Sequence, residues 1–351
     1  MASMTSTKSP NSTVPTTPPI AAPERMTGST WALMWIALLL WASAFPGVRE
    51  GLALAGERAG FDGYGAGELA LLRFGTASLV LLAYALITRM KLPARADLGR
   101  IALSGMFGFF GYHLLLNFGE RVVESAPAAV LINTAPIFTA ILATIFLKER
   151  VNLYGWLGIV ISFVGAIIVA VGQGLDASSF HAETLLLLAA ALCTSLYFMT
   201  SKPILAKYSS VQFTTYAIWA GTLPMLIFAP SLFSQMQTVP TTSTIAGVYL
   251  GIFPAAIAYV LWGIGLSRMT ASRTTAFLNL QPLNAAIIAY FWGEGIPDLL
   301  VIGGGIVAVA GVVLLNTLGK PKASPAQAAT PEADSLEEML DETSEAAAAQ
   351  I

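Results

Sequence analysis

Residues 126–149 read APAAVLINTAPIFTAILATIFLKE, and residues 272–294 read SRTTAFLNLQPLNAAIIAYFWGE. Each stretch sets an Asn three residues ahead of a Pro inside a long apolar run. Asn133 and Asn279 are 146 residues apart, as are Pro136 and Pro282. The same interval joins Gly158 to Gly304 and Gly165 to Gly311, where GAIIV in the first copy is answered by GVVLL in the second. Across connections the interval drifts by one: Glu149 and Glu294 are 145 apart, while Tyr112 and Tyr259, like Arg121 and Arg268, are 147 apart. One spacing shared by Asn, Pro and two Gly marks a diverged duplication rather than chance likeness among apolar helices.

Around these stretches the chain is apolar enough to cross a bilayer repeatedly. A spanning helix needs roughly 20 mostly apolar residues. Ten segments qualify: 30–48, 68–87, 100–118, 126–147, 153–172, 183–201, 210–230, 244–266, 272–293 and 298–317. Each copy holds five spans, an odd number, so the second copy enters the membrane from the opposite side. The predicted fold is an all-α integral membrane protein of ten transmembrane helices arranged as two inverted five-helix repeats. Such inverted repeats are typical of secondary transporters, whose site lies near the midplane between the halves. The predicted organisation is a disordered cytoplasmic N-tail (1–28), repeats over 29–173 and 182–318, and an acidic cytoplasmic C-tail (319–351).

Composition agrees with lipid as the solvent. Hydrophobic residues make up 56% of the chain and charged residues 11%, with mean hydropathy +0.71; soluble domains carry about 25% charged residues. The net charge of −2 reflects the C-tail, where Glu332, Asp334, Glu337, Glu338, Asp341, Glu342 and Glu345 lie. Without them the chain has 18 basic and 13 acidic residues. Given ten spans, fourteen basic residues fall on the side of the two tails, and three (Arg49, Arg58 and Arg121) on the other. The positive-inside rule then puts both termini in the cytoplasm, with the bacterial inner (plasma) membrane as the expected location.

The single cysteine, Cys193, and the two histidines, His113 and His181, offer no disulfide or multi-residue metal site. The sequence has no H-E-x-x-H, G-x-S-x-G or P-loop motif. No catalytic residue, cofactor, metal or nucleic-acid partner is expected. The expected partners are a small-molecule substrate and the lipid bilayer, with homodimerisation left open. A non-transporting sensor or scaffold, and an intramembrane enzyme, are the competing readings.

Four stretches carry a family resemblance: Trp41-Ala-Ser-Ala-Phe45-Pro46, Leu72-Arg73-Phe74, the run from Ala126 to Glu149, and Gly155-Trp-Leu-Gly158 through Gly165-Ala-Ile-Ile. In order and in duplication they resemble the drug/metabolite transporter superfamily, specifically its ten-helix EamA type, over about residues 30–317. The resemblance implies a basket-like fold with a central cavity and export or exchange of metabolites. That family handles amino acids, sugars, nucleotide derivatives and drugs, so no substrate is carried over. The second copy's Trp292-Gly293-Glu294-Gly295 departs from the basic Lys148-Glu149-Arg150, as an outer loop would.

Polar side chains in hydrocarbon are costly and usually face the bundle or a wet cavity. His113, Asn117 and Glu120 lie at i, i+4 and i+7, on one helical face. That face reads either as a protonatable track, with His113 and Glu120 as proton-coupling candidates, or as helix-packing hydrogen bonds. Arg73 reads as a binder of an anionic group, as a snorkelling side chain, or as a partner of Glu68. Asn133 and Asn279 line a path or satisfy carbonyls freed by helix bends at Pro136 and Pro282. Gln281 and Asn284 lie opposite Thr275 and Asn279 on the ninth span. The remaining cavity candidates are Trp41, Ser43, Phe45, Tyr112, Ser195, Tyr197, Tyr216, Trp219, Tyr259 and Trp262. Their aromatic rings suit apolar, aromatic or cationic solutes or else ordinary helix contacts.

Overall fold

The computed structural model describes residues 28–52, 63–120, 131–172, 184–281, 283–284, 288 and 298–319. Among them are helices and no strand. Eight helices are long and apolar enough to cross a membrane: α1 (Gly28–Val48), α2 (Ala66–Ile87), α3 (Arg95–Gly119), α5 (Leu153–Gly172), α6 (Leu185–Leu205), α7 (Ser210–Gln235), α8 (Thr241–Arg268) and α10 (Leu299–Thr317). The shorter α4 (Ala135–Phe146) and α9 (Ala271–Thr275) precede α5 and α10.

The fourth and ninth expected spans are thus described only in part, since residues 126–130 and most of 282–297 lie outside the described residues. Over its described part the ninth is not a continuous α-helix. After Thr275 it tightens into a 3₁₀ stretch, Ala276–Leu280. In an α-helix the Leu278 carbonyl would accept from residue 282, which is a proline with no N–H to give.

Large apolar side chains jacket the bundle. Leu79 is 68% exposed, Ile87 82% and Leu299 83%. A jacket of this kind is an aggregation surface in water and a solvent match in lipid. The chain is a multi-pass integral membrane protein.

Small residues set the tightest crossings. α5 and α10 run antiparallel with backbones in contact. A Cβ on Gly158 would lie 2.7 Å from the Gly311 carbonyl oxygen, and one on Gly165 would lie 2.8 Å from the Gly304 carbonyl oxygen. Two further crossings are also close. A Cβ on Gly105 of α3 would lie 2.9 Å from the Gly221 nitrogen of α7, and one on Gly251 of α8 would lie 2.5 Å from the Arg73 carbonyl oxygen of α2. Without a hydrophobic force between helices in lipid, such close backbone approach supplies the van der Waals contact that holds them together.

Candidate functional site

Two π-helical stretches, Met106–Gly111 in α3 and Gly251–Ile257 in α8, interrupt the central helices at corresponding places in the chain. A π turn inserts a residue and leaves carbonyls open to other donors. The Pro254 carbonyl in the second stretch accepts from the indole Nε1 of Trp41 at 2.9 Å, which fixes α1 against α8. Just beyond the two stretches come His113 and Tyr259, whose Nε2 and hydroxyl are 3.1 Å apart. On its other side His113 Nδ1 lies 3.4 Å from an Arg73 guanidinium nitrogen.

Arginine offers donors and no acceptor. His113 Nδ1 must therefore accept from Arg73, so the proton sits on Nε2 and is donated to the Tyr259 oxygen. This chain of three polar side chains, each at most 4% exposed, is set among aromatic rings. Phe74 lies 4.5 Å and Tyr112 4.6 Å from the His113 ring, and Phe109 lies 4.8 Å from that of Tyr259. The Arg73 guanidinium carbon sits 5.4 Å from the Phe74 ring centroid.

The chain of Arg73, His113 and Tyr259 forms one wall of a cavity of about 70 Å³. A cavity needs roughly 10–15 Å³ to hold one water, so there is room for several waters or part of a small solute. Trp41, Ala44 and Val48 of α1 and Tyr112 and Leu116 of α3 line it, as do Ile132 and Asn133 beside α4. Thr194 and Phe198 of α6, with Leu278 and Gln281, close the other side. The lining is mainly apolar with a few convergent polar groups, the usual make-up of a small-molecule site.

Of the residues singled out from the sequence, Trp41, Arg73, Tyr112, His113, Asn133, Tyr259 and Gln281 are brought together here. Others serve as struts. Ser43 shares a hydrogen bond of 2.6 Å with the Tyr249 hydroxyl. Asn117 donates to the Ala66 carbonyl at 2.9 Å, and Ser195 to the Ala135 carbonyl at 3.0 Å. Asn279 donates to Ser162 Oγ at 2.6 Å, a contact between helices rather than the capping of a proline-freed carbonyl. Trp262 is buried against Trp41 at 4.8 Å, and Tyr197 is buried against Phe109 at 5.5 Å.

Tyr216 and Trp219, expected at the cavity, point elsewhere. They donate to the Lys91 and Ser78 carbonyls at 3.1 and 3.2 Å and pin the middle of α2 and the connection after it to α7. Asn284 is fully buried and does not line the cavity. The side chains of Phe45 and Glu120, and all of Pro282, fall outside the described residues. Sequence reasoning missed Thr194 and Phe198. They sit at i and i+4 on α6, and Thr194 is one position from the Ser195 that was chosen.

A lipid-jacketed helical bundle around a cavity of this make-up defines a membrane transporter of small solutes. The EamA-like transporter family model matches residues 28–171 and again 182–317, and the chain belongs to that family. It is 41% identical over 273 residues to Uncharacterized transporter YdfC of Bacillus subtilis, covering 78% of this chain and 86% of that protein. It is 36% identical over 309 residues to a protein of Streptantibioticus cattleyicolor named "Probable terminal-alkyne amino-acid exporter", covering 88% and 99%. An S-adenosylmethionine uptake transporter of Rickettsia bellii is 24% identical over 249 residues, covering 71% and 82%. One crystal structure, 19% identical and spanning 84% of this chain and 98% of its own, shares the fold with a TM-score of 0.64. The protein transports a small metabolite across the membrane, and its family is one of transporters rather than enzymes.

Proposed function

We propose that the chain is a secondary carrier that exports an amino-acid-like or other small organic metabolite by alternating access, with the cavity as its substrate site. The observation that carries this reading is the origin of the cavity walls. Trp41, Arg73, His113 and Asn133 come from the first copy of the duplication, and Phe198, Tyr259, Leu278 and Gln281 from the second. A site shared between two halves can open to either face as they rock.

Ten helices in two inverted repeats, with halves over 29–173 and 182–318, fit the reciprocity of the contacts. Adding 146 to Gly158 gives Gly304, and subtracting it from Gly311 gives Gly165. The crossing of Gly158 with Gly311 thus maps onto that of Gly165 with Gly304, as a two-fold relation requires. Gly105 and Gly251 are related likewise, and so are the two π stretches. Export is the direction in the name of the Streptantibioticus relative. The basic residues favour both termini in the cytoplasm of a bacterial cell and the plasma membrane as the location.

The test is efflux by the purified protein in liposomes, with substrates drawn from metabolites that accumulate in the medium of overexpressing cells. Cysteine-accessibility labelling is expected to put residues 89–100 and 148–152 on the same face of the bilayer; opposite faces would overturn the topology. His113 is proposed as the proton-coupling group, alongside Glu120 as a candidate. Placing a proton on Nδ1 requires the hydrogen bond from Arg73 to break, which ties charge to helix position. His113→Ala is expected to abolish stimulation of efflux by a pH gradient while solute exchange continues. Unchanged stimulation would remove His113 from coupling.

A further inference from the structure

We propose that Asn133 and Gln281 form a head-group subsite in the cavity that selects small apolar solutes carrying a hydrogen-bond donor and an acceptor close together. The ammonium and carboxylate of an α-amino acid with an apolar side chain are such a pair. The proposal rests on the reading of the cavity as the substrate site.

Both amides line the cavity, Asn133 at 1% exposure and Gln281 at 9%. Asn133 Nδ2 and Gln281 Oε1 are buried and have no hydrogen-bond partner among the described residues. As placed, one is a donor and the other an acceptor, and both side chains belong to the cavity lining. Buried polar groups are nearly always hydrogen-bonded, and an unmet one carries its full desolvation cost. A solute that supplies the missing acceptor and donor together recovers both.

The two copies use these positions differently. Asn279, the counterpart of Asn133, spends its amide N–H on Ser162. The counterpart of Ser162 at the 146-residue interval is Ala308, which has no hydroxyl to offer. The counterpart of Gln281 is Ala135. The copies thus differ at both places: Asn133 lacks the strut partner that Asn279 has, Gln281 has no amide counterpart, and both Asn133 and Gln281 line the cavity. The walls beside them, Ile132, Leu278 and Phe198, suit the apolar body of the solute.

The experiment uses the purified full-length protein and three matched probes: L-leucine, 4-methylpentanoate, which lacks the amine, and 3-methylbutylamine, which lacks the carboxylate. Binding is read as ligand-induced thermal stabilisation. L-leucine is expected to half-saturate at a concentration about tenfold or more below either analogue, since a polar site rejects ligands that leave its groups unmet. The gap is expected to collapse in Asn133→Leu and in Gln281→Leu. Without ligand, both variants are expected to melt no lower than the parent, because neither substitution removes a hydrogen bond among the described residues.

Equal half-saturation by the three probes, no saturation by L-leucine, or an undiminished gap in both variants overturns the proposal. The probe series on the parent protein decides the matter even where a variant fails to fold. Failure of the cavity reading has a separate signature: Thr194→Trp, which fills the cavity from α6, would leave metabolite efflux intact.

Discussion

Gly165→Leu is expected to abolish accumulation of folded protein in the membrane, while Gly303→Leu on α10 leaves it unchanged. A Cβ on Gly165 would lie 2.7 Å from the Cα of Ala308 and 2.8 Å from the Gly304 carbonyl oxygen. These are backbone atoms of a helix and cannot swing aside as a side chain can. The reciprocal contact is as close, with a Cβ on Gly304 falling 2.7 Å from the Val169 nitrogen. Relief requires α5 and α10 to separate along their length. Overpacking by even a methylene or so costs ~1–3 kcal/mol in a well-packed interior, and membrane helices have only their mutual contact to recover it.

Gly165→Ala is accordingly expected to lower the melting temperature in detergent, and Gly165→Leu to exceed what a marginally stable fold tolerates. A Cβ on Gly303 meets nothing within 4 Å and faces lipid, so the same change there controls for hydrophobicity and helix propensity. Fluorescence-detected size-exclusion of tagged variants measures both. A monodisperse Gly165→Leu at parental abundance would show that this crossing does not hold the bundle.

That contact was legible in the sequence because glycine is conspicuous there: paired glycines seven residues apart, repeated 146 residues later, have few uses in an apolar helix other than close approach. The cavity was legible where polarity or aromaticity marked a residue in an otherwise plain segment, as with Arg73, His113, Asn133 and Tyr259. On α6 it failed by one position. Thr194 and Ser195 are both small hydroxyl residues about 100° apart around the helix, and only the location of α4 decides that Ser195 meets the Ala135 carbonyl while Thr194 faces the cavity.

The aromatic stripe of Tyr216 and Trp219 misled for a related reason. Periodicity reports that a helix has a special face but not what the face meets, and here it meets backbone carbonyls of α2 and of the connection after it. The π stretches were illegible in the first copy, where Met106–Gly111 is only Met, Phe and Gly. In the second, Pro254 interrupts the backbone donor pattern, but an isolated proline in a long apolar run does not specify a π turn.

Glu149→Ala is expected to cost about 3 kcal/mol of stability, from the loss of an acceptor that serves three donors. Glu149 was noticed in the sequence as part of a basic loop motif, but its work is done across the molecule. Lys148 adopts a left-handed backbone, φ 54°, and the Glu149 N–H closes the end of α4 on the Ala143 carbonyl at 3.1 Å. That turn presents the Glu149 carboxylate to the start of α9. It accepts from Ala271 N–H at 2.7 Å, Ser272 N–H at 3.2 Å and Ser272 Oγ at 2.9 Å.

Lys202 of α6 holds the other side of the same connection, donating to the Leu266 carbonyl at 2.6 Å and to that of Met269. A carboxylate thus meets the exposed N–H groups that begin one helix, and an ammonium meets the carbonyls that end the one before it, each the sign that a helix terminus favours. Glu149→Gln keeps one carbonyl acceptor and is expected to lose about half as much as Glu149→Ala. Because Glu149 and Lys202 clamp one short turn, the double variant Glu149→Ala/Lys202→Met is expected to lose less than the sum of the two single losses, with a coupling of about 1 kcal/mol. Melting curves of the four proteins in detergent give that term directly. Strict additivity would mean that the turn is held elsewhere and that the two charges act independently.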